Sequence, residues 1–527
     1  MTLSKNDLSR LTRPATSPHA PYPELQEALS CDVCIIGGGL TGLMTALLCK
    51  RANQEVVILE RDRVGSGESH LSSGQVTEIL DTPFRQLSKI HSKETLQLFT
   101  EHHRAAIHQL HQWIEEWRGE GGAGMVRVPG YLFTEHDHQV SQLREELGFL
   151  ADFHISSNSQ KHSPLPFPIV EAIRVENQAL LDPVALIAVL REAAQSEGVR
   201  IFEGSPVQEI APPQSPHNKK VRVRTPGGSI SSSWCVLATH SPTLDLHPVH
   251  FEMKAYRSYA LCAELRNSTL LLGNYWDMPL NRPSSSGSVY HSINPTETGV
   301  LIGGMDHPVG RAPRPEFELL MRLEDYSRSR FEIERFTQAW SGQTLESADG
   351  LPYVGHSLKS DQILFATGYG GNGISLAALA ANLLQGRITG APSELFSALS
   401  PFRIKNRRTW VSLASNGFNY LEKKTMSGLS RASLPDPRSI APGEACIGEH
   451  EKAWVAMSRD EDGALHAVSA KCSHLGAELT YNELEKTWEC PCHGSRFTRD
   501  GKVICGPALH DLEKVVIEPA QEKPEAA

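Results

Sequence analysis

Three glycines with the spacing G-x-G-x-x-G lie between an apolar strand pattern and a helical pattern near the N-terminus. The glycines are Gly37, Gly39 and Gly42, the preceding strand pattern is CDVCII at residues 31–36, and the next strand pattern, VVILE, ends at Glu60. Such glycines permit a tight turn, let the backbone approach a pyrophosphate, and let the helix pack on the strand. The unit predicts a βαβ fold that binds a dinucleotide, with phosphate at the helix N-terminus and ribose on Glu60.

A second dense pattern lies near the C-terminus, where Cys472-Ser-His474 is followed after fifteen residues by Cys490-Pro-Cys-His493. One thiolate and one imidazole from each of two loops suit a [2Fe–2S] cluster in which one iron takes two cysteines and the other two histidines. Two cysteines and two histidines also suit tetrahedral zinc. The flanks CSHLG and CPCHGSRF, with GPA at residues 506–508, resemble the cluster-binding loops and proline loop of the Rieske family. We therefore expect a Rieske cluster rather than zinc.

The Rieske resemblance has two departures. Cys492 has no partner for a loop-bracing disulfide, because Ala477 occupies the corresponding position. Ser495 matches the hydroxyl that donates to a cluster sulfide, whereas Phe497 replaces the tyrosine of high-potential members. The resemblance therefore implies a cluster potential below the high-potential respiratory type.

Several ordered motifs between residues 30 and 400 resemble the FAD-dependent D-amino-acid oxidase and glycine oxidase superfamily. They are GSGESHLSSGQVT from residue 65, residues 182–204, ADGLPYVG from residue 348 and ATGYGGNGIS from residue 366. The resemblance implies FAD as cofactor, a backbone contact at Val207, and a late loop near the isoalloxazine formed by Gly371, Asn372, Gly373 and Ile374. A covalent attachment at His70 is not expected, because His70 is one residue out of register with the attaching histidine of some members.

Composition and patterning divide the chain into an α/β part and a small all-β part. The Ser-, Pro- and Gly-rich stretch at residues 427–443 reads as a linker. We expect a two-lobed α/β flavoprotein of the D-amino-acid oxidase type followed by a β-sandwich Rieske domain. The expected divisions are a polar extension at 1–29, the FAD-dependent oxidoreductase at 30–400 (FAD-binding parts 30–83, 166–245 and 336–390; substrate lobe 84–165 and 246–335), a connector at 401–435, the Rieske domain at 436–520 and a tail at 521–527.

Charge and hydropathy exclude several partners. The net charge of −10 gives no basic surface for nucleic acid, and no run approaches the 18 apolar residues of a membrane span. The first 30 residues lack the apolar segment of a signal peptide, so we expect a cytoplasmic protein.

The substrate lobe offers polar candidates in KAYRSYAL and GGMDHP. Arg257 could bind a carboxylate, and Tyr259 or His307 could orient an amine. The whole chain resembles a bacterial family of Rieske-bearing FAD oxidoreductases of the YhfW type. We therefore expect oxidation of the C–N bond of a small amine or amino acid, with electrons passing singly through the cluster to an unidentified acceptor. Two alternatives stay open, namely a flavin reductase or monooxygenase fed through the cluster by an electron donor, and a redox-sensing protein without turnover.

Overall fold

The computed structural model describes residues 19–117, 123–214, 219–242, 248–266, 273–278, 290–403 and 433–517. The part before residue 404 mixes strands and helices. Its helices are α1 (Leu40–Arg51), α2 (Phe84–Leu87), α3 (Lys93–Glu116), α4 (Val140–Asp152), α5 (Pro183–Ser196), α6 (Glu316–Arg328), α7 (Gly373–Ile388) and α8 (Glu394–Ala398). Its strands are β1 (Ala28–Ile36), β2 (Val56–Leu59), β3 (Gln75–Val76), β4 (Val126–Thr134), β5 (Ser157–Gln160), β6 (Glu171–Leu180), β7 (Arg200–Phe202), β8 (Glu209–Ala211), β9 (Val221–Arg224), β10 (Ser229–Leu237), β11 (Met253–Leu265), β12 (Asn274–Asp277), β13 (His291–Pro295), β14 (Gly299–Pro308), β15 (Ile333–Ser347), β16 (Tyr353–Ser357) and β17 (Ser360–Thr367).

The first sheet is the predicted dinucleotide-binding sheet, in the order β16-β17-β10-β1-β2-β7, with β9 on β10 and β8 on β9. Strands β17, β10, β1, β2 and β7 run parallel. All four residues of β2 are buried, as expected for a parallel strand covered on both faces. Helix α1 packs against α5 and α7. The parallel strands therefore all end at one edge, where ligands bind in such sheets.

The second sheet has the order β15-β11-β14-β13-β12-β4-β6-β3, with β5 on β6. Helix α6 packs against β14 and β11, and its leucines join a core with Tyr259 and Leu261. Strand β6 lies within the segment 166–245 that we predicted to bind FAD, and β15 begins in the predicted substrate lobe and continues into the segment 336–390. Both strands belong to this second sheet, and the predicted divisions stay a prediction. Apolar alternation predicts a strand but does not tell which sheet it joins.

Residues 19–27, the described part of the predicted N-terminal extension, pack against the first sheet. Leu25 is buried in the core, and its N–H donates to the Ser205 hydroxyl at 3.0 Å. The N–H of Tyr22 donates to Glu203 at 3.0 Å. Residues 1–18, most of the connector and the tail at 521–527 lie outside the described residues.

The C-terminal domain is all β, as predicted. One sheet contains β18 (Ala445–His450), β19 (Ala453–Arg459) and β20 (Leu465–Ser469). The other contains β21 (Thr480–Asn482), β22 (Thr487–Glu489), β23 (Arg496–Phe497) and β24 (Val503–Cys505). Both sheets are antiparallel, and their core includes Trp488, Phe497, Cys472 and Cys490. The domain thus places two of the predicted cluster ligands at its centre.

Candidate functional site

A cavity of about 840 Å³ opens at the carboxyl edge of the first sheet and extends over the second sheet. Most residues predicted to bind a dinucleotide lie on its wall, although they come from distant parts of the chain: Gly37, Gly39, Glu60, Val207, Gly371, Asn372, Gly373 and Ile374. Gly42 is not on the wall, because it faces the preceding turn. The cavity brings the glycine turn and the late glycine-rich loop together, as the resemblance implied.

The glycine turn fits its predicted mechanical roles. Gly37 has φ +106°, and a Cβ there would lie 2.4 Å from the carbonyl oxygen of Ala238. A Cβ on Gly42 would lie 1.9 Å from the carbonyl oxygen of Gly37. Side chains at these two positions would therefore break the turn at the start of α1. The turn leaves backbone N–H groups at the helix N-terminus, which is the arrangement that binds phosphate.

Glu60 stands at the end of β2 on the cavity wall. Its Oε2 accepts a hydrogen bond from the N–H of Gly38 at 2.7 Å, and its Oε1 accepts one from the N–H of Asp62 at 2.9 Å. Burial raises the pKa of Glu60, and the two hydrogen bonds oppose that shift. A carboxylate oxygen accepts more than one hydrogen bond, so Glu60 can still take a ribose hydroxyl.

The late loop is held by the Asp81 side chain and by backbone groups of the segment at residues 79–81. The N–H of Gly371 donates to the Asp81 carboxylate at 2.5 Å. The amide of Asn372 donates to the carbonyl of Ile79 at 2.7 Å and accepts from the N–H of Asp81 at 3.2 Å. Asp81 therefore already places a carboxylate at the N-terminus of α7. The side chain of Asn372 fixes the loop, and Ile374 is buried in the main core.

One row of residues across the second sheet forms the floor of a chamber in this cavity. Cross-strand partners lie on the same face of a sheet. Pairing connects, from β15 to β4, Trp340, Ala260, Gly303, Ser292, Trp276 and Leu132. All six line the cavity. The floor thus has small residues in its middle and indole rings on both sides, and this shape leaves room for a small molecule.

The tryptophans of this floor are fixed by hydrogen bonds. The Trp276 indole N–H donates to Gln75 Oε1 at 2.9 Å, and Gln75 in turn donates to Asn294 at 2.6 Å. The Trp340 indole N–H donates to the carbonyl of Leu71 at 2.9 Å. Leu71 follows His70, which lines the cavity and whose Nδ1 lies 2.6 Å from the carbonyl of Gly67. The predicted absence of a covalent flavin bond at His70 stays a prediction.

The three predicted catalytic residues have other partners. Arg257 is fully buried. Its guanidinium contacts Ser341 on β15 and also Glu485, which belongs to the C-terminal domain. The Tyr259 hydroxyl lies 3.2 Å from His307 Nε2, within the core beneath α6. Burial lowers the pKa of His307 and raises that of Tyr259. The prediction that Arg257 binds a substrate carboxylate is therefore corrected, because an intramolecular carboxylate occupies its guanidinium.

The four predicted cluster ligands converge in the C-terminal domain. Cys472 and Cys490 are buried, and the neighbouring Cys490 thiol lowers the pKa of Cys472 to about 7. The imidazole centres of His474 and His493 are 5.2 Å apart. Burial lowers the pKa of His474 to about 4 and that of His493 to about 3, so both rings are neutral at pH 7. Neutral imidazole is the form that binds metal.

These residues fit a [2Fe–2S] cluster. His474 Nδ1 is buried with no hydrogen-bond partner, a state that a bond to iron would relieve. Each iron of such a cluster takes two ligands from the protein, and the two buried cysteines and the two neighbouring histidines provide one pair each. The Ser495 hydroxyl accepts from the N–H of Ala508 at 3.0 Å and interacts with Cys472.

The C-terminal domain docks on the larger part through buried polar contacts. Gln343 Nε2 donates to the carbonyl of Gly494, next to His493, at 2.9 Å. Glu485 contacts both Arg257 and Arg496. Burial disfavours the charged forms, but the two arginines hold the pKa of Glu485 below its usual range. These contacts bring the cluster-binding loop to the edge of the cavity, where Gln343 also lies.

The cluster histidines face the larger part directly. His250 has its ring centre 5.3 Å from that of His474 and 6.3 Å from that of His493. Phe251 contacts His493 edge-on at 5.3 Å. Both residues lie on the short 3₁₀ turn Pro248–Glu252, which leads into β11. The ends of the cluster imidazoles are therefore packed against the domain that contains the cavity.

Comparison with known families agrees with this arrangement. The family described as FAD dependent oxidoreductase matches residues 32–387, and the Rieske [2Fe-2S] domain matches residues 434–516. The chain belongs to the FAD-dependent oxidoreductase family. This flavoprotein binds FAD, and its Rieske domain binds a [2Fe–2S] cluster. No α-helix in the described part of the flavoprotein has the length and apolar character needed to cross a bilayer.

Relatives of this flavoprotein share either its whole length or its larger part. A Bacillus subtilis protein named as the Rieske 2Fe-2S iron-sulfur protein YhfW is 28% identical over 94% of this chain and 95% of its own. Gamma-glutamylputrescine oxidoreductase of Escherichia coli is 22% identical over 72% of this chain and 89% of its own. The structure of glycine oxidase from Geobacillus kaustophilus superposes with a TM-score of 0.56 at 19% identity, covering 71% of this chain and 99% of that one. The last of these shows the fold alone.

Sequence reasoning missed the docking residues. Gln343, Glu485 and His250 carry no motif, and each acquires its role only through a contact between the two parts of this flavoprotein. Arg496 lies inside the CPCHGSRF motif, but the motif by itself indicated only cluster binding. A buried arginine in a strand, such as Arg257, implies a buried carboxylate partner, although it does not say which one.

Proposed function

We propose that this flavoprotein oxidises the C–N bond of a small amine or amino acid and passes the electrons singly through the Rieske cluster to an acceptor. The supporting observation is that one cavity is lined both by the FAD-binding turns and by residues of the Rieske domain, including Cys505, Gly506 and Ala508. Oxidation of a C–N bond releases two electrons as a hydride, which FAD accepts, and the cluster carries one electron at a time.

The chamber floor supports a small substrate. Ala260, Gly303 and Ser292 leave space in the middle of the row, whereas Trp276 and Trp340 limit its width. Two of the relatives are named for oxidation of a glutamylated diamine and of glycine, and both act on C–N compounds. We infer the same class of substrate here.

Asp277 is our candidate for attracting the amine. It lines the cavity next to Trp276, and its two oxygens accept from the backbone N–H and the Nδ1 of His291, at 2.7 and 2.6 Å. The fixed carboxylate has lone pairs left for a substrate ammonium. Because Arg257 forms an ion pair with Glu485, a substrate that contains a carboxylate would need another cation to bind that group.

Anaerobic mixing with a panel of glycine, sarcosine, proline and aliphatic diamines tests the proposal. A true substrate should bleach the visible flavin absorption and then produce the electron paramagnetic resonance signal of the reduced Rieske cluster. Ser292→Phe, which fills the chamber floor, should raise KM and slow bleaching, whereas Ser30→Phe on the exposed start of β1 should not. If dithionite reduces the flavin while no amine does, C–N oxidation is refuted for this panel. Flavin reduction without a cluster signal would refute the electron path.

A further inference from the structure

The Rieske domain supplies part of the wall of the FAD cavity. The relevant segment is the β23–β24 hairpin, defined here as residues 496–505. Arg496, Thr498, Lys502, Ile504 and Cys505 of this hairpin line the same cavity as Gly37 and Glu60. The cavity is therefore incomplete without the Rieske domain.

Both ends of the hairpin attach to the segment that follows β2. At one end, the Arg61 guanidinium donates to the carbonyl of Ile504 at 2.6 Å, and Arg61 directly follows the ribose-binding Glu60. At the other end, the guanidinium of Arg496 lies 3.9 Å from the carboxylate of Glu68. The hairpin thus lies along the cavity wall between residues 60 and 68.

Glu68 connects this attachment to the phosphate-binding turn. Its carboxylate accepts from the backbone N–H of Gln343 at 2.7 Å. The next residue, Ser69, accepts from the N–H of Leu40, the first residue of α1, at 3.2 Å. Glu68 and Ser69 both belong to the short 3₁₀ turn Glu68–Leu71. This turn therefore contacts the N-terminus of α1, which binds phosphate, and the hairpin of the Rieske domain.

The charges of the hairpin suit an anionic ligand. The cavity wall beside the hairpin contains Glu60, Asp62 and Glu68, which would repel a pyrophosphate. Lys502 of the hairpin adds a cation to the same cavity, whereas the guanidinium of Arg496 is paired with Glu485. A dinucleotide in this cavity would therefore be better stabilised with the hairpin in place than without it.

We propose that the β23–β24 hairpin is a structural part of the FAD site, so that FAD binding and docking of the Rieske domain strengthen each other. Linkage requires this coupling to be reciprocal. A variant that weakens docking must weaken FAD binding, and FAD must protect the hairpin. The cluster would then be held at the cavity chiefly in molecules that contain FAD. The proposal does not depend on the substrate, because neither effect requires turnover.

Glu485→Gln in the full-length protein is the direct test. Glu485 contacts Arg257 and Arg496 but does not itself line the cavity. Because an Arg496 released from Glu485 would favour an anionic ligand, a weaker binding of FAD in this variant must come from weaker docking. FAD is removed by dialysis against bromide, and its Kd is measured by flavin fluorescence. We expect the Kd to rise by about 5- to 150-fold, the usual range of such coupling. Asp436→Asn is the matched control, because it weakens an exposed ion pair with Arg438 in the same domain and outside the hairpin.

Hydrogen exchange of wild-type protein gives an independent measurement that needs no variant. The backbone amides of residues 496–505 should exchange more slowly with FAD than without it, while β19 should be unaffected. Retention of the Rieske signal shows that Glu485→Gln is folded, and if the signal is lost the exchange experiment decides alone. An unchanged FAD Kd in a folded Glu485→Gln protein, or hairpin exchange that is independent of FAD, would overturn the proposal.

Discussion

Gln343 lies on the cavity wall and holds the cluster-binding loop, but it is neither a cluster ligand nor part of the FAD-binding turns, so its substitution tests what positions the cluster. Its Nε2 donates to the carbonyl of Gly494 at 2.9 Å, and the residue is 3% exposed. Gln343→Glu keeps the size of the side chain but replaces this donor by a second acceptor. Leaving a buried acceptor without its donor costs about 1–3 kcal/mol. Each 1.4 kcal/mol is tenfold, so the docked state should become less favoured by about 5- to 150-fold.

Gln343→Met should have a smaller effect. The Oε1 atom of Gln343 is buried without a hydrogen-bond partner, so methionine removes an unsatisfied acceptor together with the donor. We expect the docked state to become less favoured by about fivefold, the lower end of the range for Gln343→Glu, because the two changes partly offset each other. The two variants therefore form a graded series. Gln338→Glu, earlier on β15 and with no described hydrogen bond to the Rieske domain, is the control.

Laser-flash reduction with a deazaflavin photosensitiser measures electron transfer between flavin and cluster without a substrate. We expect the transfer rate to fall in the order wild type, Gln343→Met, Gln343→Glu, by up to the factors given above. The cluster potential in film voltammetry should stay constant in Gln343→Met, which leaves iron ligation and charge unchanged, whereas the added carboxylate of Gln343→Glu should lower it. An unaltered rate in Gln343→Glu, with FAD and cluster both retained, would refute the view that this contact positions the cluster.

Three further results are expected. His493→Cys should keep a cluster but lower its potential, because a thiolate disfavours the more negative reduced state; paramagnetic resonance and voltammetry of the anaerobic protein check this. Phe497→Tyr should raise the potential by at most roughly 60–130 mV if the phenol donates to Cys472, since a hydrogen bond to a charged group is worth about 1.5–3 kcal/mol; a lowered potential would exclude that contact. Burial, together with nearby glutamates, raises the pKa of Glu316 to about 7, so folding stability is lost as pH rises from about 4 to 7. Glu316→Gln should therefore raise the thermal midpoint at about pH 8 but not at about pH 4, and Glu318→Gln should do neither.

Local patterns were sufficient wherever a function depends on residues close in sequence. The glycine turn, the strand before it and Glu60 form one βαβ unit, so their spacing fixes their geometry. The two Cys–His pairs likewise come from two short loops of one small domain. In both cases chain connectivity alone brings the groups within reach of the same ligand.

Arg257 shows where such reasoning fails. A buried arginine that pairs with a carboxylate was the correct chemical expectation. The carboxylate, however, belongs to Glu485, which lies 228 residues further along the chain. A single sequence does not distinguish a substrate carboxylate from a distant side chain, because both satisfy the same guanidinium. The sheet that β6 and β15 join could not be predicted for a related reason, since strand pairing over long separations leaves no local pattern.

The docked arrangement also constrains where electrons leave the cluster. The imidazoles of His474 and His493 pack against His250 and Phe251, so this side of the cluster site is covered by the flavoprotein part. Ser473, in the first cluster-binding loop, is exposed. We therefore expect a redox partner of the docked form to approach over that loop and not over the imidazoles. Electrons exchanged with the flavin and with such a partner would then cross different sides of the cluster site.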